Sequence, residues 1–359
     1  MTRNVDEGFV VRSWPAPPHE NPFIDIITDL IFSEGEKVVS AKPTSWRTML
    51  RKQNLYIIHW PDELFWRFRS KRRLWLDIFK VLLNLSLLRI RGTKIVWFVH
   101  NLEPHDLKAD LKSAWYVLAN GLCCITNAWI SLSPSTCTPV MVRYPLLSKK
   151  PHTYIWHPLY PAHYQGTNAV ARTELAIADN AVVFAHVGGL RPSKGLVELA
   201  NDFDMFAPSK ALLILAGKPM KEVDEALRRI SGISTSFQYL PGRLAARDFD
   251  RILTATDVFI APYADFLHSG ALIHALSRSC VIVAPQKPFV EDLERVVGSD
   301  WVVSYQGSLD ARTLLKAAEA AQRVKGQKPC LNEITSPENR LRARSLFMDL
   351  GIIQESSGK

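Results

Sequence analysis

Cysteine is scarce in this 359-residue chain. The five that occur, Cys123, Cys124, Cys137, Cys280 and Cys330, form no C-x-x-C pair. That count and spacing suit neither a disulfide framework nor a zinc site, and they point to a reducing compartment. Long apolar runs are also missing. The longest, Val81 to Ile90, is interrupted by Asn84 and Arg89 and is too short to span a bilayer. The opening MTRNVDEGFVVRSW carries acidic residues and no apolar run behind its positive charge, so it does not read as a secretory signal. A cytoplasmic location is the expectation. No G-x-G-x-x-G, G-x-x-x-x-G-K-[ST] or G-x-S-x-G occurs, which argues against a dinucleotide oxidoreductase, a P-loop ATPase and a hydrolase elbow.

What is present is ample apolar material, 47% of residues, in a chain longer than one core usually organises, so two domains are expected. The net charge of +9 calls for an anionic partner: nucleic acid, an acidic membrane surface or a phosphorylated substrate. Short β-branched runs alternate with helix-period segments throughout, the pattern of parallel sheets covered by helices. The first half offers strands at Phe9 to Arg12, Lys37 to Ser40, Leu55 to His59, Lys94 to His100 and Trp129 to Leu132. The second half offers Ala181 to Val187, Ala211 to Ala216, Ser236 to Tyr239, Val258 to Ala261 and Val281 to Ala284. Ser133 to Tyr164, with six prolines and little helical periodicity, reads as the linker. The expected domains are residues 1–150, residues 165–335, and a final helical pattern in 336–359 that could pack back across the linker.

The run AVVFAHV from Ala181 is nearly all apolar, as a strand buried on both faces must be. It ends in Gly188 and Gly189, which permit a tight turn and close backbone approach to a ligand. A helix then begins at Gly195, and its free N–H groups attract phosphate. Arg191 and Lys194 add positive charge there, suited to neutralising a diphosphate as a sugar–phosphate bond breaks. Taken alone, VGGLRPSKG fits an ordinary glycine-rich turn with two solvated basic residues equally well. Its successors tip the balance: Ala216-Gly217-Lys218-Pro219, then Tyr239-Leu240-Pro241-Gly242-Arg243, a turn suited to framing a base, then a helix opening at Ser269-Gly270.

In this order the motifs resemble the donor-binding domain of GT-B glycosyltransferases, above all family 4 and its bacterial exopolysaccharide relatives, over roughly Ala181 to Ala284. The first motif of those relatives runs Phe-Gly-x-Ile-Arg-x-Tyr-Lys-Gly. Arg191, Lys194 and Gly195 keep their places, Leu190 stands for Ile and Ser193 for Tyr. The resemblance implies an α/β fold of two Rossmann-like domains whose parallel sheets face a central cleft, and an N-terminal half that takes the acceptor. It implies that Gly188, Gly189, Arg191 and Lys194 grip a diphosphate, that Ser269 and Gly270 contact it, and that Tyr239 and Gly242 lie near the base. The nucleotide-diphosphate sugar is then a substrate, with no separate cofactor.

One departure matters. Retaining family 4 enzymes carry a Glu-x7-Glu pair around the last helix, and here Leu267 and Ala275 occupy the corresponding places. That favours an inverting relative of the xanthan-type β-mannosyltransferases, with mannose from GDP-mannose as the leading donor and a polyprenyl-diphosphate-linked glycan as acceptor. A retaining enzyme with a degenerate glutamate pair, and a non-catalytic GT-B scaffold at a membrane surface, are the alternatives.

In the first half, Trp97 to Asp106 (WFVHNLEPHD) is a buried strand opening into a polar loop, where open α/β sheets place ligands. It is similar to the His-Asn-x-x-Pro-His-Glu motif of exopolysaccharide transferases, with Asp106 in place of Glu. An inverting transfer needs one general base, and Asp106 is the candidate, with His100 orienting donor or acceptor. Helix capping is the competing role for Asp106 and equally for Asp62, the reserve candidate in His59-Trp60-Pro61-Asp62. Residues 64–83 interleave Arg67, Arg69, Lys71, Arg72 and Arg73 with aromatic residues, suiting the headgroup layer of an acidic membrane as well as a simply solvated helix. No recognised motif supports nucleic-acid binding. Two Asp-x-Asp triplets, Asp202 to Asp204 and Asp248 to Asp250, fall in helical surroundings, read as surface carboxylates, and lead to an expectation of no metal.

Overall fold

A computed structural model describes residues 10–18, 21–32, 36–47, 53–66, 70–263 and 265–353. The chain forms two compact units, one from Met1–Pro158 with Ile334–Lys359 and the other from Leu159–Glu333.

Among the described residues the first unit carries six strands: β1 (Val10–Trp14), β2 (Lys37–Ser40), β3 (Leu55–Ile58), β4 (Lys94–Phe98), β5 (Ala128–Ser131) and β6 (His152–Tyr154). They lie in the order β2-β1-β3-β4-β5-β6, and every neighbouring pair is parallel. Central strands such as β3 are buried at every position, which is why they read as unbroken Val, Ile, Leu and aromatic runs. Val11, Phe23, Ile27, Ile57, Phe98 and Ile130 share one core with Leu346 and Phe347 of the Glu338–Asp349 helix. Full burial of such a side chain contributes roughly 1.5–3 kcal/mol. Asn339 of that helix, 1% exposed, accepts the Trp156 backbone N–H at 3.0 Å and donates to Ile334 O at 2.9 Å.

The second unit also carries six: β7 (Val182–Val187), β8 (Ala211–Gly217), β9 (Phe237–Pro241), β10 (Val258–Ile260), β11 (Val281–Pro285) and β12 (Val302–Tyr305). Their order is β12-β11-β10-β7-β8-β9, all parallel. The order in which the chain adds strands to this sheet reverses between β7 and β10. Ligands in open α/β sheets lie beyond the strand carboxyl ends at such a reversal.

The structure departs from the sequence expectation in three places. Ser133 to Tyr164 contains the boundary between the two units, after Pro158, but is not bare: it also holds a helix over Cys137–Arg143 and edge strand β6, short elements whose periodicity the intervening prolines interrupt. β12 completes the second sheet, and its four residues are too few for a clear pattern. Phe9 and residues 67–69 lie outside the described residues. Finally, Asp250 is no surface carboxylate. It is 0% exposed, at 2.6 Å from His274 Nε2 and 2.9 Å from an Arg278 guanidinium nitrogen, and it accepts the His163 backbone N–H. Burial opposes its ionisation, but the His274 and Arg278 hydrogen bonds outweigh it and hold the carboxyl below the usual range. Asp202 and Asp204 are exposed, as expected.

Candidate active site

The turn after β7 is stitched to its neighbours by backbone. Gly188 N donates to Ala216 O, Leu190 N to Lys218 O, Met220 N to Leu190 O and Gly242 N to Gly217 O, each at 2.9 Å. The turns following β7, β8 and β9 thereby form one continuous rim. Gly188 at φ +142° and Gly217 at φ +136° adopt backbone open to glycine and strained for other residues. Arg191 precedes a 3-10 turn over Pro192–Lys194, and Gly195, at φ +61°, opens the Leu196–Phe206 helix. The N-terminal end of a helix carries free N–H groups, the polarity that attracts anions.

Lys194 is half-buried and folds back toward the sheet. Its Nζ lies 3.2 Å from His186 Nε2 and 5.0 Å from the centre of the Tyr263 ring. His186 belongs to β7 and is 0% exposed, with Nδ1 2.9 Å from Ile260 O. Burial and the Lys194 charge both push its pKa well below the ordinary imidazole value, so it is neutral near pH 7. The Tyr263 hydroxyl is 2.7 Å from Ser269 Oγ. Burial raises that phenol to about 12, partly offset by the Ser269 contact. Ser269 precedes the Gly270–Ser277 helix, and its hydroxyl makes no capping bond to it.

The structure therefore brings Gly188, Lys194, Ser269 and Gly270 to the β7–β10 reversal. Gly189 lies beside them, where an added Cβ would approach Arg191 Nε to 3.7 Å. Gly242 joins through the rim. Tyr239 is near, but its hydroxyl donates to Asp224 Oδ1 at 2.6 Å, committing it to the Lys221–Ser231 helix. Leu267 and Ala275 are both buried apolar residues. His186, Tyr263 and Gly217 carry no role in the sequence reading. A lone histidine in an apolar strand gives no sign of its partner, and only the strand order brings Tyr263 to it.

In the first unit, His100 follows β4 and packs into a buried ring cluster. Its Nε2 is 3.2 Å from His59 Nδ1, and its ring centre is 4.9 Å from that of Phe23 and 4.7 Å from that of Trp60. His157 stands 4.9 Å from Phe23 on the same measure. Asp106 occupies different surroundings. It is exposed, at φ +55°, and lines a small open pocket with Phe65, Trp66 and His105. It caps no helix at Leu107, because the next helical turn begins at Ala109 and the main helix at Lys112. Asp62 is buried, and its carbonyl accepts Phe65 N at 2.9 Å at the start of the Glu63–Trp66 helix. Glu103 pairs with Arg143 at 2.8 Å. Among the described residues no three His, Cys, Asp or Glu side chains are grouped to hold a metal, and no helix is long and apolar enough to cross a membrane.

No protein-family model matches the chain. It is 26% identical over 312 residues to the GDP-mannose:glycolipid 4-beta-D-mannosyltransferase of Xanthomonas campestris pv. campestris, covering 84% of this chain and 82% of that protein. Among solved structures it resembles the catalytic domain of starch synthase IV from Arabidopsis thaliana bound to ADP and acarbose. That match has a TM-score of 0.62 at 12% identity and covers 96% and 99% of the two chains. It also resembles Anabaena HepE in complex with UDP and glucose, with a TM-score of 0.57 at 14% identity over 96% and 98%. The architecture is that of the GT-B glycosyltransferases, and over most of its length the chain is similar to a GDP-mannose:glycolipid mannosyltransferase.

Proposed function

We propose that the chain transfers a hexose from a nucleotide-diphosphate sugar, with GDP-mannose as donor, to a polyprenyl-diphosphate-linked glycan during exopolysaccharide synthesis. The observation that carries this is the meeting of the Lys194 ammonium with the Ser269–Gly270 helix start, bridged by Tyr263, at the β7–β10 reversal. Two anion-binding elements at one strand-order reversal suit a diphosphate better than a single phosphate. The donor named for the Xanthomonas relative supports the choice of GDP-mannose.

Chemically, the acceptor hydroxyl attacks the anomeric carbon as the bond from that carbon to the diphosphate oxygen breaks. The electron pair leaves on the diphosphate, where Arg191 and Lys194 neutralise it. Asp106 takes the hydroxyl proton, and His100 helps orient the reactants. One displacement inverts the anomeric centre. Buried Leu267 and Ala275, in place of two carboxylates, support inversion. Positive charge from Arg191 and Lys194 leaves no task that requires a metal, so transfer is expected to persist in EDTA.

The Lys71–Ile90 helix supplies the reason for a peripheral site on the inner face of the plasma membrane. Leu74, Ile78, Val81, Leu85 and Leu88 are buried on one face, yet Trp75, Leu76, Phe79, Leu83, Leu87 and Ile90 are exposed along the other. An exposed apolar stripe flanked by Arg72 and Lys80 suits an acidic lipid surface. Lys71 and Arg73 contribute less charge, since they pair with Asp110 at 2.7 Å and Asp77 at 3.5 Å.

The deciding experiment incubates the protein with GDP-mannose, UDP-glucose and other nucleotide sugars and a bacterial lipid extract, and follows labelled sugar into the lipid phase. Transfer from GDP-mannose giving a β-linked product is expected, abolished in Arg191→Ala and Lys194→Ala. An α-linked product would sink the inverting mechanism. Full biological activity in both variants would favour the scaffold instead.

A further inference from the structure

We infer that His186 is a positioning residue which, together with the Tyr263 ring, holds the Lys194 ammonium in place for the leaving diphosphate. The inference rests on the function proposed above and deepens it. Burying an imidazole at 0% exposure is costly unless both nitrogens are satisfied, so its two partners fix its chemistry. Ile260 O, 2.9 Å from Nδ1, can only accept, so Nδ1 carries the hydrogen. Nε2 is then a lone pair, and the group 3.2 Å away is the Lys194 ammonium, a donor with three N–H bonds and no acceptor. The direction of every bond from Ile260 to Lys194 follows from these two facts.

A second side of the ammonium is framed by Tyr263, whose ring centre lies 5.0 Å from Nζ and 5.9 Å from that of His186, the two ring planes standing at 84°. The face of an aromatic ring attracts a cation. Below lies the Gly188 turn, where an added Cβ would come within 3.9 Å of Nζ. A lysine head is otherwise mobile, with about 2 kcal/mol of rotamer entropy to lose on binding. Holding it beforehand against an imidazole lone pair and an aromatic ring, beside a backbone turn, lowers that loss and readies the charge for the transition state. Tyr263 reaches Ser269 through its hydroxyl, so the same ring spans both anion-binding elements. His186 is buried beneath Lys194 and acts only through it.

The test is a double-mutant cycle read by calorimetric titration with GDP and GMP. His186→Phe keeps a ring but offers no acceptor, His186→Gln extends an amide oxygen toward Lys194, and Lys194→Ala removes the cation. His186→Phe is expected to weaken GDP binding about tenfold. GMP, lacking the second phosphate, should bind as to wild type, and His186→Gln should recover most of the loss. In the Lys194→Ala background, His186→Phe should add nothing. Losses that multiply in the double variant, or equal losses for GDP and GMP, would overturn the inference. If His186→Phe does not fold, His186→Asn, which reaches Ile260 but not Lys194, replaces it, and GDP affinity equal to that of His186→Gln would overturn the inference. Failure of wild type to bind GDP, UDP or ADP, or unchanged GDP affinity in Lys194→Ala, would instead overturn the proposed function.

Discussion

Gly217 stands so close to Gly188 that a β-carbon built on it would lie 1.8 Å from the Gly188 carbonyl oxygen. That contact is backbone against backbone and cannot be relieved by a side-chain rotation. Gly217→Ala is therefore expected to push the turns after β7 and β8 apart, lose on the order of 2–3 kcal/mol of stability and abolish nucleotide binding. Urea unfolding and GDP titration check both, and a variant that binds GDP like wild type would show that the rim tolerates separation.

Asp250 offers a second measurement. Asp250→Asn removes the charge facing Arg278 while keeping the shape, leaving a guanidinium that is 12% exposed against a neutral amide. Breaking a buried pair on one side costs about 3–5 kcal/mol. Denaturant unfolding should show a loss of that size in the second unit. A change below about 1 kcal/mol would mean that water reaches the group.

Acid should weaken the protein in part through His186. Its folded pKa is depressed below the ordinary value of 6.5, so the unfolded chain binds the proton more readily. The stability contribution is fully present above 6.5 and falls as pH drops below it, because protonation would set an imidazolium against Lys194. The melting temperature of wild type should fall more steeply from pH 7 to 5 than that of His186→Gln. Parallel slopes would show that folding does not depress the His186 pKa.

For the exposed face of the Lys71–Ile90 helix, Phe79→Ser and Leu83→Ser together remove two large apolar side chains that are 62% and 44% exposed. Sedimentation with vesicles containing phosphatidylglycerol should show at least tenfold weaker binding, with the melting temperature unchanged or raised. Equal binding by the variant would assign membrane attachment elsewhere.

Legibility from sequence followed burial. Strands such as β7 and β11 are covered on both faces, so their residues are apolar apart from His186 in β7, and their ends stand out against glycine or proline. The anion-binding turn was legible for the same reason, since Gly188, Gly189, Arg191 and Lys194 are local in sequence. What stayed hidden depends on strand order. His186 meets Ile260 and Tyr263 only because β7 lies beside β10, and Asp250 meets Arg278 across helices that no local pattern relates. Strand β6 was hidden differently, as a three-residue element that starts directly after Pro151.

The Glu338–Asp349 helix belongs to the first unit although the whole second unit precedes it in the chain. Shortening the chain after Pro337 should leave the second unit folded and expose Phe98, Ile130 and Trp156, which limited proteolysis would detect as cleavage confined to the first unit.

That order of segments has a consequence on the ribosome. Residues 159–333 can assemble as soon as they emerge, whereas the nascent first unit must wait for Asn339 and Phe347 with its sheet built but one flank uncovered. The first sheet, made before the second unit, is thus sealed after it, and meanwhile it is this flank that a chaperone would find.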